Sequence, residues 1–262
     1  MALQLLISAL NKDPAELIAK MNIQTDAVLV NQCDEDVCRE IPYRENTVLV
    51  LSKKERGVGR SRNLCMEKAT AEYVLFSDDD IVYDDGYEEK VLSAFEKNDA
   101  ADVILFNMKV SPERKTYWNE SEKSVSKFNC GRYPAYSIAA KRESLQKADV
   151  RFSLLFGGGA KYSNGEDSLF LTDCLRGGLK LFTSTEVLGK EEPGESTWFH
   201  GFTEKFFYDR GVLFAFLYKG FALLWAFRYV FLKRDIDSSK IGKKKAWKLI
   251  CDGIKEGNKL RK

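Results

Sequence analysis

Histidine is almost missing from this sequence: His200 is the only one in 262 residues. A zinc centre built from several histidines is therefore excluded. The six cysteines do not make up for it. Cys33, Cys38, Cys65, Cys130, Cys174 and Cys251 are scattered with no Cys-x-x-Cys pair, so reduced thiols in a cytosolic protein are expected. Net charge is scarce too. Forty-one basic residues against 39 acidic ones leave +2, which argues against the chain-wide positive field of a nucleic-acid binder. The opening "MALQLLISALNKDPAEL" has neither a charged leader nor a cleavage site, so it does not read as a signal peptide. No glycine-rich turn follows its apolar run. The later Gly57-Val58-Gly59 has Arg62 where a third glycine would complete a dinucleotide fingerprint, which excludes a Rossmann oxidoreductase.

What is present is apolar and unevenly charged. A hydrophobic content of 44% over this length suits one large globular unit. Acidic clusters occupy Asp34 to Asp36, Asp78 to Asp80 and Asp84 to Asp85, whereas lysines, including Lys243, Lys244 and Lys245, crowd the C-terminal stretch. The runs Leu3 to Ala9, Ala27 to Cys33, Asn46 to Ser52 and Tyr73 to Ser77 are too continuously apolar to have a wet face, as in buried parallel strands. Between the first two, Asp13 reads as an N-cap, Pro14 as the first helical residue and Glu16 as the partner in a capping box. Gly59 to Ala69 reads as a second helix. Strands alternating with helices imply an open α/β sheet, mostly parallel, with helices on both faces.

Ligands of such sheets bind beyond the carboxyl ends of the strands, and "YVLFSDDD" places Asp78, Asp79 and Asp80 there. Three adjacent aspartates could simply end a strand and cap a helix. That duty falls more naturally to Asp85, which with Glu88 spells a capping box before "GYEEKVLSAFEK". A divalent cation, Mg²⁺ or Mn²⁺, then accounts for the repelling carboxylates, since these ions favour carboxylate oxygens and keep positions open for phosphate.

The segment "GVGRSRNLCMEKATAEYVLFSDDD" resembles the Arg-Asn, helix, strand and Asp-x-Asp series of family 2 glycosyltransferases, which have the GT-A fold. The resemblance runs from the first strand to about Phe202. It implies that Asp78 and Asp80 hold the metal and the diphosphate of a nucleotide sugar, with Asp79 on the ribose or sharing the metal, and that Arg62 and Asn63 lie near the base or phosphates. Ser8 and Ala9 are close-approach positions for the nucleotide. Where family members carry an aspartate for uracil, this sequence has Asn31 and Gln32, whose amides can still pair with a base edge.

A second constellation, "FGGGAKYSNGEDSLFLTDCLRGG", reads as a flexible loop leading into a helix capped by Asn164. Gly158 and Gly159 would let the backbone approach an acceptor. Taken alone, Glu166 and Asp167 are helix-dipole acids. The resemblance implies instead that Asp167 is the general base of an inverting transfer and that Glu166 orients it or binds an acceptor hydroxyl. It also makes His200 a candidate third metal ligand. Trp198 is an aromatic wall for a sugar or a core residue.

"VLFAFLYKGFALLWAFRYVFL", Val212 to Leu232, is long enough to span a bilayer, for which ~20 apolar residues suffice. Lys219 and Arg228 inside it favour a helix lying in the interface, with the basic tail drawn to anionic lipids. The alternative is a pair of helices packed on the catalytic part. The expectation is thus a GT-A catalytic domain over 1–205, with a nucleotide-sugar half over 1–100 and an acceptor half over 101–205, and a helical membrane-associating extension over 206–262. Its function would be metal-dependent transfer from a nucleotide-sugar donor, a UDP-sugar by preference, to a lipid-linked glycan acceptor in bacterial surface polysaccharide synthesis. It would work from the cytoplasm on the anionic inner face of the plasma membrane, without nucleic acid; homodimerisation is left open. A silent sugar-nucleotide-binding scaffold remains an alternative. A nucleotidyltransferase is disfavoured, because "ISALNKDPAEL" lacks a glycine-rich phosphate loop with a lysine.

Overall fold

The structure, a computed structural model, describes residues 1–112, 114–192, 201–232 and 241–261. The chain opens with β1 (Leu3–Leu10), α1 (Pro14–Lys20) and β2 (Asp26–Gln32). Asp13 Oδ1 accepts from the Glu16 amide at 3.0 Å, and Pro14 begins the helix, as the sequence pattern requires. An antiparallel hairpin of β3 (Val37–Tyr43) and β4 (Asn46–Lys53) follows. Next come α2 (Val58–Lys68), β5 (Tyr73–Asp78), β6 (Ile81–Tyr83), α3 (Tyr87–Lys97) and β7 (Val103–Lys109). After a long loop, β8 (Ile138–Lys141), α4 (Arg142–Lys147), α5 (Glu166–Arg176) and β9 (Leu181–Glu191) complete the sheet region. Helices α6 (Glu204–Tyr218), α7 (Ala222–Phe227) and α8 (Lys243–Leu260) close the chain.

Among the described residues the strands form one sheet in the order β3-β4-β2-β1-β5-β8-β7-β9-β6. Strands β4, β2, β1 and β5 run parallel. β8 is antiparallel to both β5 and β7, and β7 is parallel to β9, so β7 and β9 share the direction of β5. The antiparallel β3 and β6 lie at the edges. Alternate residues of the central strands feed two cores. Leu5, Ile7 and Leu29 join Leu17, Tyr87 and Phe95 of α1 and α3 on one face. Leu6, Val28, Val30 and Phe76 join Cys65, Phe170 and Leu171 of α2 and α5 on the other. Burial on both faces is what makes the strand sequences continuously apolar.

Two caps differ from the sequence-based expectation. Asp85 accepts from Asn22 Nδ2 at 3.0 Å, and α3 instead follows Gly86, whose φ of 75° only glycine adopts freely, with no side-chain cap. Likewise α5 starts after Gly165 without a side-chain cap, and Asn164 turns towards Ser163 Oγ.

The C-terminal stretch is helical, as expected, but its apolar run is interrupted. Val212 to Leu232 is not one helix, because it breaks at Lys219, where φ is 49°, and resumes as α7 and a π turn. Its first part is core: Val212 and Leu213 are buried against Phe156, Tyr162 and Leu169. Asp209 accepts from the backbone N–H and the hydroxyl of Ser163, both at 2.9 Å. α6 and α8 approach almost backbone to backbone, since a Cβ on Gly211 would strike the Ile250 carbonyl and one on Gly253 the Tyr208 carbonyl. The exposed part of the run is later: Phe221, Leu223, Leu224, Phe227 and Leu232 all face outward.

Candidate active site

A cavity of about 550 Å³ opens at the carboxyl ends of β1 and β5, between the aspartate cluster and the start of α5. Ser8 pairs with Asp78 across these strands, so the chain beyond β1 runs beside the acids. The Leu10 amide donates to Asp79 Oδ2 at 3.0 Å.

Arg62 organises the centre. It projects from α2, its side chain is only 4% exposed, and it meets carboxylates from two other elements. Nη2 donates to Asp78 Oδ1 at 2.7 Å; Nη1 donates to Asp167 Oδ1 at 2.8 Å and Glu166 Oε1 at 3.2 Å. Its guanidinium lies 5.2 Å from the centre of the Phe152 ring. Burial works against the charge of Arg62, but the three carboxylates more than offset it and raise its pKa. The same burial, reinforced by the charge of Glu166 and opposed by Arg62, pushes Asp167 up to about 8. Asp167 is thus a carboxylate of unusually high basicity, held by a fixed cation. The backbone around it is shaped to fit: a side chain on Gly157, where φ is 102°, would come within 2.7 Å of Val58 and 2.8 Å of the Glu166 carboxyl.

The aspartates at the end of β5 are not left repelling one another. Asp78 is paired with Arg62, Asp79 with the Leu10 amide and Lys12 at 3.9 Å, and Asp80 with Arg114 at 3.5 Å. Arg114 also holds Glu191, 2% exposed at the end of β9, at 2.6 Å. Burial and then Asp78 push Asp80 up to about 6, and burial and then Asp80 push Glu191 up to about 7. Protein cations therefore relieve repulsion that the sequence alone assigned to a metal. A cation still fits, because Asp80 Oδ1 is buried without a hydrogen-bond partner in a carboxylate cluster of the kind Mg²⁺ and Mn²⁺ prefer. Among the described residues no group of three or more His, Cys, Asp or Glu is arranged to hold a metal ion, so Asp78 and Asp80 would supply only part of a shell.

Most of the expected site residues meet in this cavity. Ser8, Ala9, Gln32, Arg62, Asp78, Asp79, Asp80, Gly158, Glu166 and Asp167 all line it. Gln32 does so with its amide engaged, accepting from the Gly57 N–H at 2.6 Å. Three expected residues lie elsewhere. Asn31 brackets the backbone of Lys12 through both ends of its amide, at 3.1 and 2.8 Å, and so braces the loop after β1. Asn63 does the same for Phe152, at 2.9 and 2.8 Å, tying α2 to the chain beneath Arg62. Gly159 packs against Gly57, with space for a Cβ only 3.0 Å from its nitrogen. Trp198 and His200 lie outside the described residues. Arg114, Glu191, Arg132 and Arg210 were missed by sequence reasoning; they sit in or beside loops and helices with no pattern to mark them.

Comparison with curated protein sequences finds no match. Among solved structures, the first 349 residues of TarS from Staphylococcus aureus, in complex with UDP-GlcNAc, superpose with a TM-score of 0.59 at 16% identity, covering 97% of this chain and 72% of that one. The mannosyltransferase PcManGT from Pyrobaculum calidifontis, in complex with GDP-Man and Mn²⁺, gives 0.52 at 14% identity, covering 97% and 74%. These likenesses establish the fold, an α/β GT-A sheet. The model of the family described as "Glycosyl transferase family 2" matches residues 17–153, a span that carries α2, Arg62 and the Asp78 to Asp80 cluster. The chain belongs to glycosyltransferase family 2.

Proposed function

We propose that this glycosyltransferase is an inverting, metal-dependent hexosyltransferase with Asp167 as its general base. The observation that carries the reading is the convergence of Asp78, Glu166 and Asp167 on one buried guanidinium in a single cavity. Acids at the strand end and acids at the start of α5 are held in fixed relation, as a reaction needs when a leaving group departs on one side and a proton is removed on the other. Asp167 would take the proton of the acceptor hydroxyl as that oxygen attacks the anomeric carbon, and Glu166 would orient the base or the hydroxyl. Arg62 keeps both in place and limits the rise in the pKa of Asp167. Asp78 and Asp80 would hold Mn²⁺ or Mg²⁺, which when bound neutralises charge on the departing diphosphate. Arg114 and Lys12 add protein cations on that side.

The donor is a nucleotide diphosphate sugar, with UDP preferred because the TarS structure contains UDP-GlcNAc; the GDP-Man and Mn²⁺ bound to PcManGT keep guanosine and manganese in view. In this reading residues 1–205 form the catalytic part and 206–262 a helical extension that meets the anionic cytoplasmic face of the plasma membrane. There the acceptor is a lipid-linked glycan of surface polysaccharide synthesis. Exposed Phe221, Leu224 and Phe227 beside the basic α8 support that placement.

Calorimetric titration with UDP and with GDP, each with Mn²⁺ and with chelator, tests the reading. Binding that requires the metal and is lost in Asp80→Asn is expected. Equal binding in the presence of chelator would remove the metal from the account, and binding of neither nucleotide would remove the donor site.

A further inference from the structure

The transfer chemistry leaves two cationic side chains of the cavity without a task. Lys12, Arg62 and Arg114 each face a carboxylate. Arg132 and Arg210 line the same cavity and, among the described residues, have no carboxylate within ion-pair distance. Both are held instead on aromatic faces. The Arg132 guanidinium lies 5.2 Å from the centre of the Tyr133 ring and donates to the Tyr133 hydroxyl at 3.2 Å. That of Arg210 lies 5.2 Å from Phe206 and 5.6 Å from Tyr229, and its Nε is buried with no hydrogen-bond partner. Stacking of this kind orients a guanidinium and leaves its N–H edge to a ligand.

Their position assigns them to the acceptor. Gly131, next to Arg132, accepts from Ser168 Oγ at 3.1 Å, and Asp209, next to Arg210, accepts from Ser163 at 2.9 Å. Each arginine is thus one residue from a tether to the segment 163–168, which carries Glu166 and Asp167. The Asp78 to Asp80 cluster has its own cations. A neutral sugar hydroxyl gains little from two guanidinium groups, whereas a phosphate accepts from them in pairs. The two positive charges would also offset the repulsion of an anion by Glu166 and Asp167.

We infer that the acceptor carries a phosphate mono- or diester near the hydroxyl that reacts, and that Arg132 and Arg210 bind it. This rests on the transferase reading, and it narrows the acceptor by chemistry. The phosphate can belong to a membrane-embedded lipid phosphate or to a soluble polyol-phosphate chain, and the test separates the two.

The full chain, saturated with whichever of UDP or GDP it binds with Mn²⁺, is titrated with an oligomer of glycerol phosphate. In parallel it is titrated with polyprenyl phosphate in phosphatidylcholine vesicles, with glycerol and uncharged polyprenol as controls. Binding of one phosphate probe over its control, weakened about tenfold or more in Arg132→Gln and in Arg210→Gln with nucleotide affinity unchanged, is expected; the probe that binds identifies the source. Arg132 is exposed, so its variant remains informative if Arg210→Gln loses stability. Nucleotide binding without binding of either phosphate probe, or phosphate binding indifferent to both substitutions, overturns the inference and leaves the transferase reading standing. Weakened nucleotide binding in the variants would move the arginines to the donor and overturn it too. Absence of all nucleotide binding would defeat both readings together.

Discussion

At the scale of single residues, burial raises the pKa of Asp167 and the Arg62 guanidinium opposes that rise. Asp167 accepts a proton only when ionised, and its pKa is raised to about 8, chiefly by burial and then by Glu166. The rate should therefore climb with pH through that value, about tenfold per unit below it. Arg62 works in the opposite direction, lowering the pKa of Asp167, so Arg62→Gln should move the rising limb of the pH profile of kcat/KM to higher pH as well as lowering its plateau. A profile that falls in height without shifting would reduce Arg62 to a structural prop. The sequence already marked Arg62, Asp78 and Asp167 as functional, because each sits in a motif. It did not reveal that one buried arginine joins the other two, since 105 residues separate Arg62 from Asp167 and no local pattern records a contact across that distance. Asn31 and Asn63 show the reverse: residues at expected nucleotide-site positions whose amides are used to brace backbone.

At the scale of elements, the parallel strands were legible because burial on both faces makes them unbroken apolar runs. β3 was not, for a physical reason: an exposed edge strand with Arg39, Glu40 and Pro42 has neither alternation nor a core to face. The cap was read correctly where a side chain supplies it, as at Asp13, and wrongly where glycine turns the chain, as at Gly86 and Gly165. The α6 to α8 contact was invisible for a related reason, because it depends on what glycines lack. Adding one methyl group at Gly253 would drive it into the carbonyl of Tyr208. Gly253→Ala should accordingly cost about 1–3 kcal/mol of stability, the usual cost of overpacking, measured by chemical denaturation. A change within ±0.5 kcal/mol, the range of ordinary surface substitutions, would show that the two helices do not approach so closely.

At the scale of the whole molecule, the C-terminal helices combine a buried part with an outward-facing apolar part. α6 packs on the start of α5 through Leu213, which sits where Gly165 leaves space, and through the Asp209 to Ser163 tether. The chain from Phe221 to Leu232 then turns large apolar side chains outward. Removal of the whole extension would strip the start of α5 of its support, so point changes give the cleaner test of membrane binding. Leu224→Glu combined with Phe227→Glu should weaken binding to anionic vesicles by at least tenfold, because two apolar contacts are lost and two like charges gained, while leaving UDP or GDP affinity intact. Vesicle binding equal to that of the unaltered chain would reject a lipid-facing role for this surface.

Removal of the acceptor proton by Asp167 is tested by turnover of Asp167→Asn at saturating donor, with donor affinity determined on the same preparation. An amide of the same shape keeps the cavity and the bond length to Arg62 within reach, but it cannot accept the proton. Donor affinity within about twofold of the unaltered chain is expected, with turnover lower by about 10²–10⁴-fold, the usual contribution of a general base. Turnover close to normal with donor affinity intact would contradict this role and return Asp167 to that of a helix-terminal acid.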